Sequence, residues 1–183
     1  MSKVKGTKIS SKISFVKEAY GDAVVDRVFA SLSPEDRIRM SSVVDLGWYD
    51  MDLYDKILDA IVAVAAKGDD QILERMGRHS AEDLSQRAYK VYYRSKDPET
   101  VLSKMIPIHS ALNDPGEMEV VKRRDRQISV IVREPPTTLH HCRVANAFYQ
   151  RSVELCGVGR VEVDEVRCSA RGDACCEFVV SWR

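Results

Sequence analysis

Near the C-terminus three cysteines and a glutamate fall in a pattern suited to holding a metal ion: Cys142 in a helical segment, then Glu165, Cys168 and Cys176 in a hairpin stretch running from Val163 to Trp182. Thiolates bind zinc-like ions tightly, and a hairpin joins two of them without a long, entropically costly loop. With a turn at Ala170–Asp173, Cys168 lies nearly opposite Cys175 or Cys176. Successive strand side chains point to opposite faces, so only one of these two can join it. Glu165, three positions before Cys168, needs a bulge or twist to reach the same face. Cys142 would come from the preceding helix and pin it to the hairpin. Three thiolates and one carboxylate fill a tetrahedral shell with no open position for water, which marks a structural rather than a catalytic site. The plainer alternative is that these cysteines are small buried hydrophobes, since free cysteine is among the most buried residue types.

Other chemistry-bearing residues are sparser. His109, in Ile108-His-Ser-Ala-Leu, stands near a helix end, where a histidine is ordinarily a surface or hydrogen-bonded polar residue. His140 and His141 sit beside Cys142, but adjacent helical residues point about 100° apart and cannot both face one ion with it. They read as surface or outer-shell groups, and His79 carries no assignment. Trp48, Tyr89, Tyr93, Phe148 and Tyr149 are candidates for lining an aromatic-binding pocket, against the alternative of ordinary core packing. No Ser-His-Asp set lies in a nucleophile-elbow context, and the carboxylates fall on exposed helical faces. An enzyme is not expected.

The elements that would position these residues change character midway. Apolar stripes at helical spacing mark Ser10–Tyr20, Asp22–Leu32 and Leu53–Ala65, with Lys67-Gly68 as a stop. Ser33-Pro34 opens a short helix, the serine as cap and the proline in the first turn. Ser80-Ala-Glu-Asp opens a segment through Arg94, and Asp97-Pro98 opens another through about Ile108, which Pro107 should kink or end. After the turn Asn113-Asp-Pro-Gly116, residues 117–122 and 127–133 read as a hairpin. Pro135-Pro136 breaks the chain, 138–156 reads as a helix, and two strands at about 159–168 and 174–182 close it. The fold class expected is α+β: a helical N-terminal half and a C-terminal four-stranded antiparallel sheet with a covering helix. The chain is read as one domain, 1–183, mainly helical over residues 1–112 and forming the sheet and metal-binding region over residues 113–183.

Composition narrows the function. Of 183 residues, 28 are basic and 28 acidic, and this balance argues against direct nucleic-acid binding. The basic run Lys122-Arg123-Arg124 with Arg126 falls at a hairpin turn, where it protects a strand edge. The start, Met-Ser-Lys-Val-Lys-Gly, has no apolar h-region, and the most apolar stretch, Ile57 to Ala66, is too short to span a bilayer, so no membrane insertion is expected. Five cysteines, an odd number, fit free thiols in a cytoplasmic protein.

Two resemblances add expectations. Glu165-x-x-Cys168-x-x-x-Gly172-Asp173-x-x-Cys176-x-Phe178-x-x-x-Trp182 resembles the closing signature of the 4-vinyl reductase domain family, over about residues 138–183. That family includes the effector-sensing domains of phenol-responsive transcriptional activators. The resemblance implies structural zinc on Cys142, Glu165, Cys168 and Cys176, a small-molecule pocket between helices and sheet, and a homodimer formed through the helical N-terminal segments. No dinucleotide or flavin motif accompanies it, which speaks against a reductase acting alone.

The second resemblance covers the first half. Val4-Lys-Gly, Phe15-Val-x-x-x-Tyr20-Gly21, Tyr54 and Leu73-x-x-x-Gly77 are similar to the start of heme-based nitric oxide and oxygen sensors. It implies heme as cofactor with His109 as the iron ligand. The Tyr-x-Ser-x-Arg triad that meets the propionates in those sensors is not reproduced after His109. The leading expectation is therefore a zinc-stabilised domain sensing a hydrophobic or aromatic small molecule and signalling through a dimer or an output protein. The alternatives are a heme-based gas sensor using His109, or a non-catalytic scaffold subunit like those of vesicle-tethering complexes, whose fold is similar.

Overall fold

The apolar stripes of the first half become a packed helical layer, and the β-branched runs of the second become a sheet. The computed structural model describes residues 2–66, 71–86, 89–133 and 138–183. Strand β1 (Lys3–Lys5) leads into α1 (Gly6–Tyr20), α2 (Asp22–Ser31), α3 (Pro34–Ser41), β2 (Trp48–Asp50), α4 (Met51–Ala65), α5 (Gln71–Gln86), α6 (Lys90–Tyr93) and α7 (Pro98–Leu112). Then come β3 (Asn113–Asp114), β4 (Glu117–Arg124), β5 (Gln127–Arg133), α8 (Leu139–Glu154), β6 (Val161–Arg167) and β7 (Cys176–Trp182). The fold is α+β, with the antiparallel sheet ordered β4-β5-β7-β6 and α8 packed across it.

Local chemistry explains several boundaries. The Ser33 hydroxyl accepts from Asp36 N at 3.0 Å and caps α3, with Pro34 in the first turn. Asp97 does the same for α7 through Thr100 N at 2.9 Å. Two expectations need correction. Ser80 does not open a helix: α5 runs unbroken through it, and its hydroxyl donates to Met76 O at 2.9 Å, a bond that lets serine sit inside a helix. Pro107 does not end α7, which continues to Leu112; the proline is exposed, so the turn absorbs one missing hydrogen bond on its solvent side. The stop at Lys67-Gly68 and the break at Pro135-Pro136 lie outside the described residues.

A second, small sheet, ordered β2-β1-β3, does not show in the sequence because strands of two or three residues display no alternation. It matters for position. Val4 pairs with Asn113, which clips the start of α1 to the end of α7. Helices α5 and α8 also lie in close contact, because a Cβ on Gly77 would run into the Val144 carbonyl. Two buried apolar clusters result. One gathers α1, α2, α4 and α5 around Ile57 and Met76; the other joins α7, α8 and the sheet around Val130 and Phe178. Among the described residues no helix is long and apolar enough to cross a membrane.

Candidate functional site

A cavity of about 200 Å³ lies at the seam between the two clusters. Its apolar wall comes from Met105, Ile108 and Leu112 of α7, Met118, Val132 and Phe178 of the sheet, and Val144, Phe148 and Tyr149 of α8. Its polar end is made by Lys8, Ser11 and Lys12 of α1, Ser80 and Asp83 of α5, and Asn113. His109 also lines the cavity, from the last turn of α7.

The β1–β3 pairing brings α1 to His109. Asn113 Nδ2 donates to the His109 backbone oxygen at 2.8 Å and approaches His109 Nδ1 at 3.2 Å, while Asn113 Oδ1 accepts from Lys8 Nζ at 2.5 Å. With the amide so oriented, Nδ1 is an acceptor and the ring proton sits on Nε2, which is buried. Lys12 is the more unusual group. It is 4% exposed, its ammonium donates to Ser80 Oγ at 2.6 Å, and burial, then the neighbouring Lys8 charge, lower its pKa to about 7 against a smaller opposing pull from Asp83. Neither lysine is singled out by the motifs. The available signal is periodicity: Ile9, Lys12 and Val16 share the buried stripe of α1, so a lysine stands where the pattern calls for an apolar residue.

The aromatic candidates separate into two groups. Phe148 and Tyr149 line the cavity; Trp48, Tyr89 and Tyr93 do not. Trp48 is half-exposed on β2 under the Lys5 ammonium, 4.1 Å from its ring. Tyr89 stacks on Tyr92 at 5.8 Å. Tyr93 is buried on α6 with its hydroxyl on Ser152 of α8 at 3.2 Å, and burial pushes its phenol up to about 12. Aromatic type marks buried surface but does not say which surface. His140 meets Asp59 at 2.8 Å, and the His141 ring stands edge-on to Tyr54 at 5.3 Å.

The cysteine constellation converges. Ligand atoms of Cys142, Glu165, Cys168 and Cys176 all lie within 4.8 Å of one another, a span that one divalent ion could bridge. Of the neighbours Cys175 and Cys176, only Cys176 joins, and the register irregularity between Glu165 and Arg167 is the bulge that turns the glutamate inward. The thiols also satisfy one another: Cys142 Sγ lies 3.5 Å from Cys168 Sγ and 3.7 Å from Cys176 Sγ. Ser169 N–H donates to Cys176 Sγ at 3.3 Å, and the Ser169 hydroxyl lies 3.2 Å from the same sulfur. Hydrogen bonding from Cys142 and then Ser169, against burial, lowers Cys176 to about 6, while the same contact with Cys176 raises Cys142. Burial raises Cys168. Cys142 and Cys176 also line the seam cavity, so cluster and cavity share a wall.

Comparison with known proteins places this arrangement. The Haem-NO-binding family model matches residues 5–120. No curated protein matches by sequence. The fold is similar to an H-NOX protein from S. oneidensis in the Fe(II)NO ligation state, at 14% identity, covering 98% of this chain and 99% of that chain with a TM-score of 0.73. It is similar to an Fe(II) unliganded H-NOX protein from K. algicida at 12% identity, covering 98% and 96%, with a TM-score of 0.72. These findings overturn the 4-vinyl reductase assignment and, with it, structural zinc as the expected cofactor: the family that matches is one described by heme. The C-terminal signature misled because it reports converging thiols, and those thiols lie outside the matched residues 5–120.

Proposed function

Because this chain belongs to the Haem-NO-binding family, we propose that it is a heme-based gas-sensing domain that holds the iron through His109 and carries out no catalysis of its own. The carrying observation is the placement of His109. It lies inside the matched segment, lines the seam cavity and keeps its Nε2 buried. A histidine imidazole is the usual axial donor to heme iron, and an apolar wall excludes the water that would compete for the group.

The residues fit heme in kind. Ile108, Leu112, Met118, Val132 and Phe178 supply apolar surface for a macrocycle beside His109. Binding metal through Nε2 would require the ring proton on Nδ1, so the Asn113 amide, which presents its nitrogen there and its oxygen to Lys8 Nζ, would have to turn over to accept it. The space of about 200 Å³ is below the range of about 300–1,000 Å³ usual for drug-sized ligands, so holding heme would require the seam to widen. Bound heme supplies the iron at which a diatomic gas coordinates. The protein's role is to hold the imidazole, exclude water and pass a change in seam packing to a partner protein or a second copy. The presence of an apolar-walled cavity with His109 in its lining favours this reading over a scaffold subunit.

The test is spectroscopic. The purified chain mixed with hemin should give a Soret band whose position changes on adding nitric oxide, and His109→Ala should lose or shift that band. Protein that takes up no hemin, or a spectrum indifferent to the substitution, rejects the reading.

A further inference from the structure

The polar end of the cavity holds a buried lysine, Lys12, beside a half-buried one, Lys8, whose ammonium donates to Asn113 Oδ1 at 2.5 Å. Lys12, 4% exposed, comes from the buried stripe of α1, and Lys8 lies one turn earlier on the same helix and lines the same space. Burying an ammonium beside another is costly unless an anion neutralises them. Asp83 offsets some of the Lys12 charge and Asp55 some of the Lys8 charge, but burial still lowers Lys12 to about 7. Lys12 directs one N–H to Ser80 Oγ at 2.6 Å, and an ammonium carries three donors. The rest of the lining is mostly hydrocarbon. A complementary ligand is an apolar body with an acid at one end.

We propose that Lys8 and Lys12, braced by Ser80, form a carboxylate-binding end of the cavity, so that its ligand is an amphipathic carboxylate anchored on α1. The proposal rests on reading this cavity as the ligand site and is separable from the choice of heme. The carboxylate can be a porphyrin propionate or the head group of a free fatty acid, and the chemistry recognised is the same. It gives a place for acid groups in a chain that lacks the Tyr-x-Ser-x-Arg triad.

Four probes separate the possibilities on the full chain, followed by tryptophan and porphyrin fluorescence and by titration calorimetry. They are iron-free protoporphyrin IX, its dimethyl ester, decanoate and decan-1-ol. At least one acid should bind about tenfold or more tightly than its neutral counterpart, the value of one charge-assisted contact. Lys12→Met and Lys8→Met should each remove most of that preference, read as the ratio of acid to neutral affinity within each variant; thermal melting reports whether the variants are folded. Preference for protoporphyrin alone identifies the propionate source, and preference for decanoate alone identifies the fatty-acid source. Equal binding of acid and neutral forms, binding of neither acid, or a preference that survives both substitutions overturns the proposal. Decanoate binding in a protein that ignores hemin would sink the heme reading and leave this one standing.

Discussion

Two buried ionisable side chains, one in the sheet and one in the helical half, are treated in opposite ways. Glu177 on β7 is 3% exposed and Lys12 on α1 is 4% exposed, so burial does not distinguish them. Partners do. Glu177 accepts from Ser129 Oγ at 2.7 Å, from Arg167 at 2.7 and 2.8 Å through two nitrogens, and from Arg123, which also donates to Ser129 at 2.7 Å. Those contacts, Ser129 first, hold its carboxyl below the usual glutamate range despite desolvation. Lys12 has Ser80 as its hydrogen-bond partner and a like charge nearby, and desolvation wins. A fully partnered buried charge clamps strands together. An under-partnered one beside a cavity costs stability, and such costs are characteristic of functional sites.

The largest expected effect breaks the clamp. Glu177→Ala leaves two arginines and Ser129 without their shared acceptor across β4, β5, β6 and β7. Loss of a buried, charge-assisted network member costs about 2–3 kcal/mol, at the lower end because both arginines are half-exposed and regain water. Urea unfolding should show a lower midpoint with an unchanged slope. A loss under about 1 kcal/mol would mean the clamp is ornamental.

The opposite sign is expected at the other group. Lys12→Met exchanges an under-partnered ammonium for a side chain that suits the stripe, and Ser80 keeps its bond to Met76 O. Stability at neutral pH should rise by about 1–2 kcal/mol. The pH dependence follows from the direction of the shift. Lys12 is lowered from 10.5 to about 7 in the fold, with Lys8 and Asp83 as its charged neighbours. Between those values the unfolded chain binds more protons, so wild-type stability climbs as pH rises through the window, by at most about 1.4 kcal/mol per unit. Lys12→Met should lack that climb. Parallel curves for the two proteins from pH 7 to 10 would show that Lys12 is not held in this state.

Residue patterns foretell the α+β class, the four-stranded sheet and the convergence of Cys142, Glu165, Cys168 and Cys176. Stripe spacing, turn residues and the period-2 geometry that admits only one of Cys175 and Cys176 are local signals, while the choice of Cys176 comes with the resemblance to the 4-vinyl reductase signature. What stays hidden depends on distant pairing. Asn113 meets His109 and Lys8 only because β1 and β3 join, and strands of two or three residues announce nothing. Trp48 and Tyr93 fall away from the cavity for a related reason, since an aromatic ring fills whichever cluster its element faces. Family identity is the harder case, because the clearest motif lies in the thiols of the second half while the matching family model covers residues 5–120.

The smallest effect supplies the baseline for the comparison. Lys17 and Asp22 form an ion pair at 2.9 Å with 63% and 74% of their side chains exposed. The distance is close to the 2.7 and 2.8 Å of the Arg167 contacts with Glu177, so geometry alone would rank the pairs nearly alike. Water and salt screen this pair, and ordering two mobile side chains offsets most of the attraction. A double-mutant cycle of Lys17→Ala and Asp22→Ala should give a coupling below about 0.5 kcal/mol; the cycle is needed because Asp22 also opens α2 and favours its N-terminus by itself. A coupling above about 1 kcal/mol in roughly physiological salt would show that an exposed pair can rival a buried network. Partner geometry in a water-excluded site would then no longer explain why Glu177 stabilises the fold while Lys12 strains it.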